Sequence, residues 1–576
     1  INEDYSYEYN VFYVKKILTY KGKKRYSDVK FEYNSGFENI EFGDCFTVNS
    51  KGEKVEIPEE AFHNSEHYFT MFSPEYINKW EKIINFPEIE PGNYIVVNYT
   101  RINNRKEFVS GIEHLMEENP YLEKRFIVTY PENLEFYVNP IRKLENLEIK
   151  HSKENGIIKE EFIIRNAELV LSEENSPSYV YTGCPIFYSN EKNWTELGNK
   201  IFERFNSGIE ITDLISEKAK EITSNCSTER EKIFAIYDYL ARNFIIKFSE
   251  LQNLNFKPDP LEEVFEKKYG CKRDIVALFL GLVKAAGIKK CYPVLQLDAN
   301  HRFEDMQKKN SIIDFINNIN VFWNNILISP GNDSYPFGYA GVNNCNIIIG
   351  EKKPVFKKYS FESSRIISKK AICRTISDDE YIIDYTSIFS GSQDSKYRSQ
   401  FRNESVEKTK IWFSNQQKDK SSILTNDPEF LNLEDLDKNV ELKYSSKVKG
   451  FLTKQDNYLY FSLPLEKIPL NVGAKNRVLP YQIYSVFSVE EEFIIEDVPE
   501  NMSVIKPKGG VQESFKFGKQ EIEYEIEIER FDNNLVFKRT VNIPEGLIPV
   551  EQYKELRNFI NNLNNPTNNV IFLKNQ

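Results

Sequence analysis

The run YGCKRDIVALFLGLVKAAGIKKCYPVLQL (269–297) constrains the fold more than any other stretch of the chain. Residues 271–286 are apolar nearly all round, and a helix of that composition has to be buried. Gly270 stands at its entrance and Gly287 is placed as a C′ residue, where a left-handed turn ends the helix. CYPVLQL then reads as a buried strand, so the unit predicted is a central helix feeding a sheet. Upstream, EREKIFAIYDYLARNF (229–244) sets Ile233, Ile236, Tyr237, Leu240 and Phe244 on one stripe, the spacing of an amphipathic helix. Thr228 and Glu231 form a capping-box pair at its start. Pro258-Asp259-Pro260 breaks the chain before a short helix in LEEVFEKK.

The flanks have a different texture. Residues 1–175 contain short β-rich runs such as VFYVKKILTY (11–20), SDVKFEY (27–33), NYIVVNYTRI (93–102) and RFIVTY (125–130), punctuated by Gly, Pro and Asn. Ser50-Lys51-Gly52-Glu53 reads as a hairpin turn. After about 350 strands return. In EIEYEIEIER (521–530), Ile522, Tyr524, Ile526 and Ile528 alternate with Glu, giving one buried and one solvated face. Residues 403–440 read as a polar, partly helical insertion. PVEQYKELRNFINNL (549–563) carries a docking stripe of Tyr553, Leu556, Phe559, Ile560 and Leu563. The expected architecture is multidomain α+β: a β-sandwich-like unit at 1–185, an α+β core at 186–350, and a second β-sandwich at 351–576 that ends in a helix.

At 576 residues one hydrophobic core cannot organise the whole chain. With 40% hydrophobic and 28% charged residues, the balance is that of a globular protein. The net charge of −12 and the lack of a long Lys/Arg run argue against a nucleic-acid partner. No apolar run reaches the ~18–20 residues that span a bilayer. The seven Cys (45, 184, 226, 271, 291, 345 and 373) include no CxxC, so neither a zinc site nor a dithiol redox pair is expected. HExxH, P-loop, GxSxG and EF-hand patterns are missing, and no cofactor or metal is expected.

Cys271 is the residue that stands apart. It lies at the predicted helix N-terminus, where the macrodipole favours a thiolate and free backbone N–H groups could hold an oxyanion. A Cys nucleophile also needs a base within reach and a third group to orient that base.

The succession TEREKIFAIYDYLARNF, YGCKRDIVALFLGLVKAAGI and a strand resembles the core of the transglutaminase-like superfamily. The resemblance covers roughly 186–350. It implies that Cys271 holds the nucleophile position, with a His and an Asp on the next two strands completing a papain-like triad. Residues 27–62 and 86–99 are similar to the β-rich domain of unknown function 3857, which often precedes such cores. The region after 351 is similar to the β-sandwich that follows them. These are exported bacterial proteins, so the resemblance implies a periplasmic, lipoprotein or cell-surface location with the signal segment removed; the start at Ile1 fits such trimming.

The departures from the family are specific. The His strand corresponds to FINNINVF (315–322), which puts Asn318 at the His position. A second alignment through WNNIL (323–327) puts Asn325 there instead. The family Asp corresponds to Ser329, ahead of Pro336-Phe337-Gly338. Asn takes up no proton at neutral pH and Ser orients a base poorly. His301 in the loop DANHRFED, or His63, His67, His114 and His151 of the first unit, could substitute only by reaching in from elsewhere. Asp274 reads as a helix cap, and Asp333 would have no His to orient. Trp323, with Tyr335 and Phe337 nearby, suggests an aromatic-lined groove. The expectation is a catalytically degenerate protein that binds a peptide, protein or glycan outside the cytoplasm. Two alternatives stand beside it: a cysteine-dependent peptidase or amide acyltransferase using Cys271, and an architectural spacer of the cell envelope.

Overall fold

The computed structural model describes residues 1–141, 144–177, 183–297, 311–341, 345–350, 355–358, 365–377, 379–416 and 422–575. His301 lies outside them.

The first part of the chain is built from strands around two separate apolar clusters. In one, Ile40, Ile84, Ile95 and Val97 meet between the sheet of Tyr7–Lys16, Tyr94–Asn103, Glu38–Phe42, Phe46–Val48 and Lys54–Glu56 and the sheet of Asp28–Asn34, Lys79–Asn85 and Phe62–Glu66. In the other, Phe126, Phe162, Ile164 and Ile186 join the sheet of Tyr121–Pro131, Ile157–Ala167 and Leu147–Glu154 to that of Tyr137–Pro140, Pro185–Ser189 and Ser110–His114. The expected hairpin around Ser50–Glu53 is present, with Phe46 opposite Glu56.

In the centre, helices Trp194–Ser207, Asp213–Ile222, Glu229–Asn243 and Leu261–Lys267 precede the Cys helix, Lys272–Ala285. Thr228 and Glu231 make the reciprocal capping box. Every residue from Arg273 to Val283 is buried, as the apolar run demands. The Cys helix packs on a five-stranded antiparallel sheet ordered Ile326–Ile328, Ile316–Trp323, Tyr292–Leu297, Cys345–Ile348 and Val355–Lys358. Leu295, Leu297, Ile319, Val321, Trp323 and Ile347 share one core with the helix. Val294, Phe322, Leu327 and Ile348 form a separate cluster on the opposite face. This alternation fixes which strand residues can look toward the helix.

The C-terminal part is a nine-stranded sheet with a four-stranded sheet (Thr453–Gln455, Tyr458–Ser462, Val570–Asn575 and Met502–Lys506) against it. The large sheet contains one parallel join, Arg365–Ser377 beside Phe487–Ile495. The Gln520–Phe531 strand buries Ile522, Tyr524 and Ile526. The Val550–Leu563 helix docks through Tyr553, Leu556, Ile560 and Leu563. The expected polar insertion at 403–440 contains the helix Val406–Gln416, and the helix Gly391–Phe401 precedes it. It is anchored by Arg398, fully buried with Asp394 and donating to the carbonyls of Asn432, Leu433 and Lys438.

Candidate functional site

Cys271 ends a short parallel pairing in which Ile245–Lys247 lies beside Tyr269–Cys271, and it caps the Cys helix. Its side chain is fully buried. The thiol donates to Asp274 Oδ2 at 3.0 Å, and the same oxygen accepts the Cys271 backbone N–H at 3.1 Å. Asp274 Oδ1 accepts from Arg273 Nε at 2.8 Å and from the Asp259 N–H at 3.1 Å. Arg273 also reaches Asp259 Oδ1 at 3.3 Å. The cap read for Asp274 is thus part of a buried carboxylate–guanidinium knot.

The electrostatics run against the sequence-based expectation of a stabilised thiolate. Burial pushes the Cys271 thiol up to about 12, the Asp274 carboxylate pushes the same way, and Arg273 only partly offsets them. Desolvation and a like charge outweigh the helix macrodipole here.

Asn318 lies across from Gln296 in the strand register and donates to Gln296 Oε1 at 3.2 Å, and Gln296 in turn donates to the Ala340 carbonyl. Those contacts belong to the face with Phe322 and Leu327, away from the Cys helix. Asn325 sits in the exposed turn after Trp323 at φ +61°. Neither Asn stands where a base for Cys271 would. Ser329 does meet the helix, but through the next residue: Lys272 Nζ donates to Ser329 Oγ and to the Pro330 carbonyl, both at 2.8 Å. Gly331 follows at φ +78°, where a Cβ would come within 2.6 Å of Ile275. Lys272 has no ion-pair partner among the described residues, and burial lowers its amine to about 7. Sequence reasoning passed over Lys272, and its only signal was adjacency to Cys271.

Trp323 is 7% exposed and packs in the core beside the helix. Phe337 packs edge-on against Phe234 and Tyr237, and Tyr335 against Tyr339. The structure therefore places Trp323 and Phe337 in packing and not on an open groove wall. Asp333 pairs with Arg402 of the C-terminal part at 3.0 Å.

Segment 68–79 of the first unit packs against residues that neighbour Cys271 in sequence and space. Phe69 packs tilted against Phe248 with ring centroids 5.0 Å apart, the Tyr269 hydroxyl donates to Glu75 at 3.0 Å, and Lys79 pairs with Glu250 at 3.3 Å. Tyr76 lies close enough to Asp274 and Asp259 that their charges add to burial in raising its phenol. A cleft of about 580 Å³ between Tyr76, Asn253, Asn255, Asp259 and Arg273 opens beside this knot. No sequence signal pointed to this strap.

His67 belongs to it as well, capping the Tyr68–Phe72 helix by accepting the Phe69 N–H at Nδ1. Its Nε2 faces Glu81 at 3.6 Å and Glu32 at 3.9 Å. The three could in principle ligate a metal. A neutral imidazole that accepts at Nδ1 carries its proton on Nε2, however, and has no lone pair left for an ion there. The Lys79 ammonium also lies 2.5 Å from Glu32, so the donor set does not suit a cation. His63 and His151 are exposed on first-unit strands, and His114 ends the Ser110–His114 strand. The charged neighbours that shift Cys271 are Asp274 and Arg273.

Comparison with known proteins agrees with this geometry. Residues 216–321 match the transglutaminase-like superfamily core. Residues 3–162 match a domain of unknown function with a solved structure, DUF3857, and residues 457–573 match another, DUF3858. The central part of the chain, at residues 216–321, thus resembles the transglutaminase-like superfamily core. In this chain that domain stands between a DUF3857 and a DUF3858 domain. No curated protein matches. The crystal structure of a "putative protease" from Parabacteroides distasonis ATCC 8503 aligns over 100% of this chain and 97% of its own, with TM-score 0.67 and 15% identity, a likeness of fold. Baculovirus P35 also aligns, but its TM-score of 0.10 at 6% identity, over 37% of this chain and 93% of its own, carries no argument. Among the described residues no helix is long and apolar enough to cross a membrane.

Proposed function

We propose that the chain is a catalytically degenerate transglutaminase-like protein that acts outside the bacterial cytoplasm as a binding or scaffolding module for a peptide or glycan. Its three working units are 1–185, 186–350 and 351–576, with the Pro185–Ser189 strand hydrogen-bonded back into the first. The observation that carries the reading is the setting of Cys271: fully buried, with its thiol donating to the Asp274 carboxylate, and burial and that carboxylate both push the thiol pKa up. Proton transfer by a placed residue is worth about 10²–10⁴-fold, and neither Asn318, which faces away from the Cys helix, nor Ser329, which accepts from Lys272, supplies it. The fold neighbour described as a protease favours the rival reading, a cysteine peptidase or amide acyltransferase using Cys271. The two separate in one assay. The purified chain is incubated with a fluorogenic peptide library and with a glutamine peptide plus a labelled amine. Degeneracy predicts turnover no greater than in Cys271→Ala, and turnover that disappears in Cys271→Ala contradicts it.

A further inference from the structure

The Tyr7–Lys16 strand is 10 residues long and lies at the edge of its sheet. Its pairing with Tyr94–Asn103 runs unbroken from Tyr7 opposite Asn103 to Lys16 opposite Tyr94. In an antiparallel pair alternate residues bond to the neighbour, so the other half of the backbone N–H and C=O groups point outward. Among the described residues no hydrogen bond reaches that outer side, and no other element runs alongside the strand's backbone. Edges are normally blunted by proline, by a bulge, by short length or by lysines. This strand has no proline and no bulge, and its lysines fall only at its last two positions. Glu8, Asn10, Phe12, Val14 and Lys16 all face solvent, with Phe12 67% and Val14 55% exposed.

We propose that this edge pairs antiparallel with the same edge of a second copy of the chain, centred on Phe12. A two-fold axis normal to the sheet keeps the solvent-facing residues of both copies on one face. The two Phe12 rings then lie opposite each other, and Glu8 of each copy stands opposite Lys16 of the other, with Asn10 opposite Val14 between them. Aromatic pairs and opposite charges placed directly across two strands are favourable. Among the described residues neither Glu8 nor Lys16 has an ion-pair partner in its own chain, so both are available to one. Sliding the pairing by two residues, the smallest step that keeps the faces, sets Glu8 opposite Val14 or Leu18 and loses the charge pairs. An unrelated extended peptide would use the same backbone groups. The self-complementary order of acid, ring and base along the strand favours the second copy instead. Pairing would join two five-stranded sheets into one continuous sheet and close the contact with two-fold symmetry.

The contact goes beyond the reading of the core, since the Cys helix takes no part in it. The test follows the mass of the full chain by sedimentation equilibrium from about 1 to about 200 µM. A monomer–dimer equilibrium is expected, with amides of residues 7–16 exchanging more slowly where the dimer forms. Phe12→Lys puts like charges on the two-fold axis and Glu8→Lys puts lysine opposite lysine. Each is expected to weaken the dimer at least about tenfold. The double variant Glu8→Lys with Lys16→Glu restores opposite charges across the strands and should return the dimer to within about threefold of the parent. All three positions are exposed, so circular dichroism and melting should match the parent in every variant. A monomer across the whole range overturns the proposal. So does a dimer that Phe12→Lys leaves unmoved, or one that Glu8→Lys weakens and the charge swap does not restore. A chain that stays monomeric, and whose 7–16 amides slow only when a valine- and threonine-rich decapeptide is added, overturns it in favour of a foreign strand.

Discussion

The thiol of Cys271 donates to Asp274 Oδ2 at 3.0 Å, three residues further along the same helix start. A cysteine nucleophile gains reactivity from a neighbouring cation or imidazole. Here the neighbour is an anion shared with Arg273 and with the backbone of Asp259. The residue read as a helix cap is also part of a buried knot whose carboxylate pushes the thiol pKa up.

That knot should be costly to break. Asp274→Ala leaves the buried Arg273 guanidinium and two backbone N–H groups without their acceptor. Removing one partner of a buried pair costs about 3–5 kcal/mol, and urea unfolding should show a loss of that order. Asp274→Asn keeps the shape and removes the charge, so the thiol pKa should fall from its raised value. An unchanged thiol titration in Asp274→Asn would contradict the assigned cause.

Lys272 should give stability a pH dependence of recognisable sign. Its folded pKa is lowered from 10.5 to about 7. Between those values the unfolded chain binds a proton that the folded chain does not, so this group's contribution rises as pH rises from about 7 to 10.5. Its cost is fully present below pH 7. Lys272→Met should therefore flatten the melting temperature against pH across that window. Parallel curves for the two proteins would show that the amine is ordinary.

Placing a histidine at the position named by sequence should not restore chemistry. Asn318 faces Gln296 and the sheet surface away from the Cys helix. Asn318→His is expected to leave the Cys271 titration unchanged and to add no peptide turnover to that of the parent chain. A lowered thiol pKa in that variant would show that the strand face has been misassigned.

Arg398 should hold the polar insertion to the rest of the molecule. It is fully buried, pairs with Asp394, and clamps the carbonyls at 432, 433 and 438. The same loop meets the core, where Arg230 pairs with Asp437 and the Phe337 N–H donates to the Leu436 carbonyl. Arg398→Ala should cost about 3–5 kcal/mol by stranding Asp394, and should speed amide exchange at 432–438. Exchange unchanged in that loop would contradict the clamp.

Local patterns carried much of the architecture. The stripe and capping box of Glu229–Asn243, the all-round apolar Cys helix, the 50–53 hairpin and the alternating 520–531 strand are short-range signals, and each formed where the pattern placed it. What could not be read was the direction of side chains and the contacts between distant segments. The face of Asn318 follows from its alternation with Phe322 in the strand and its pairing with Gln296, which the sequence alone does not fix. The turn of Lys272 toward Ser329, with Cys271 turned inward, depends on how the helix start meets the 329–331 loop. The strap at 68–79 and the pairing of Tyr385 with Tyr444 join segments whose sequences carry no mark of each other. The two apolar clusters of the first unit read in sequence as one β-rich stretch, because strand patterns do not say which sheets share a core.

The central claim is that Cys271 is an inert, protonated thiol. The pH dependence of iodoacetamide alkylation at this residue, followed by peptide mass mapping, tests it most directly. The account predicts slow modification with an apparent pKa well above the free-cysteine value of about 8.5, speeding up only on unfolding. Rapid modification of the folded chain with an apparent pKa below that value would contradict it and return Cys271 to the role of nucleophile.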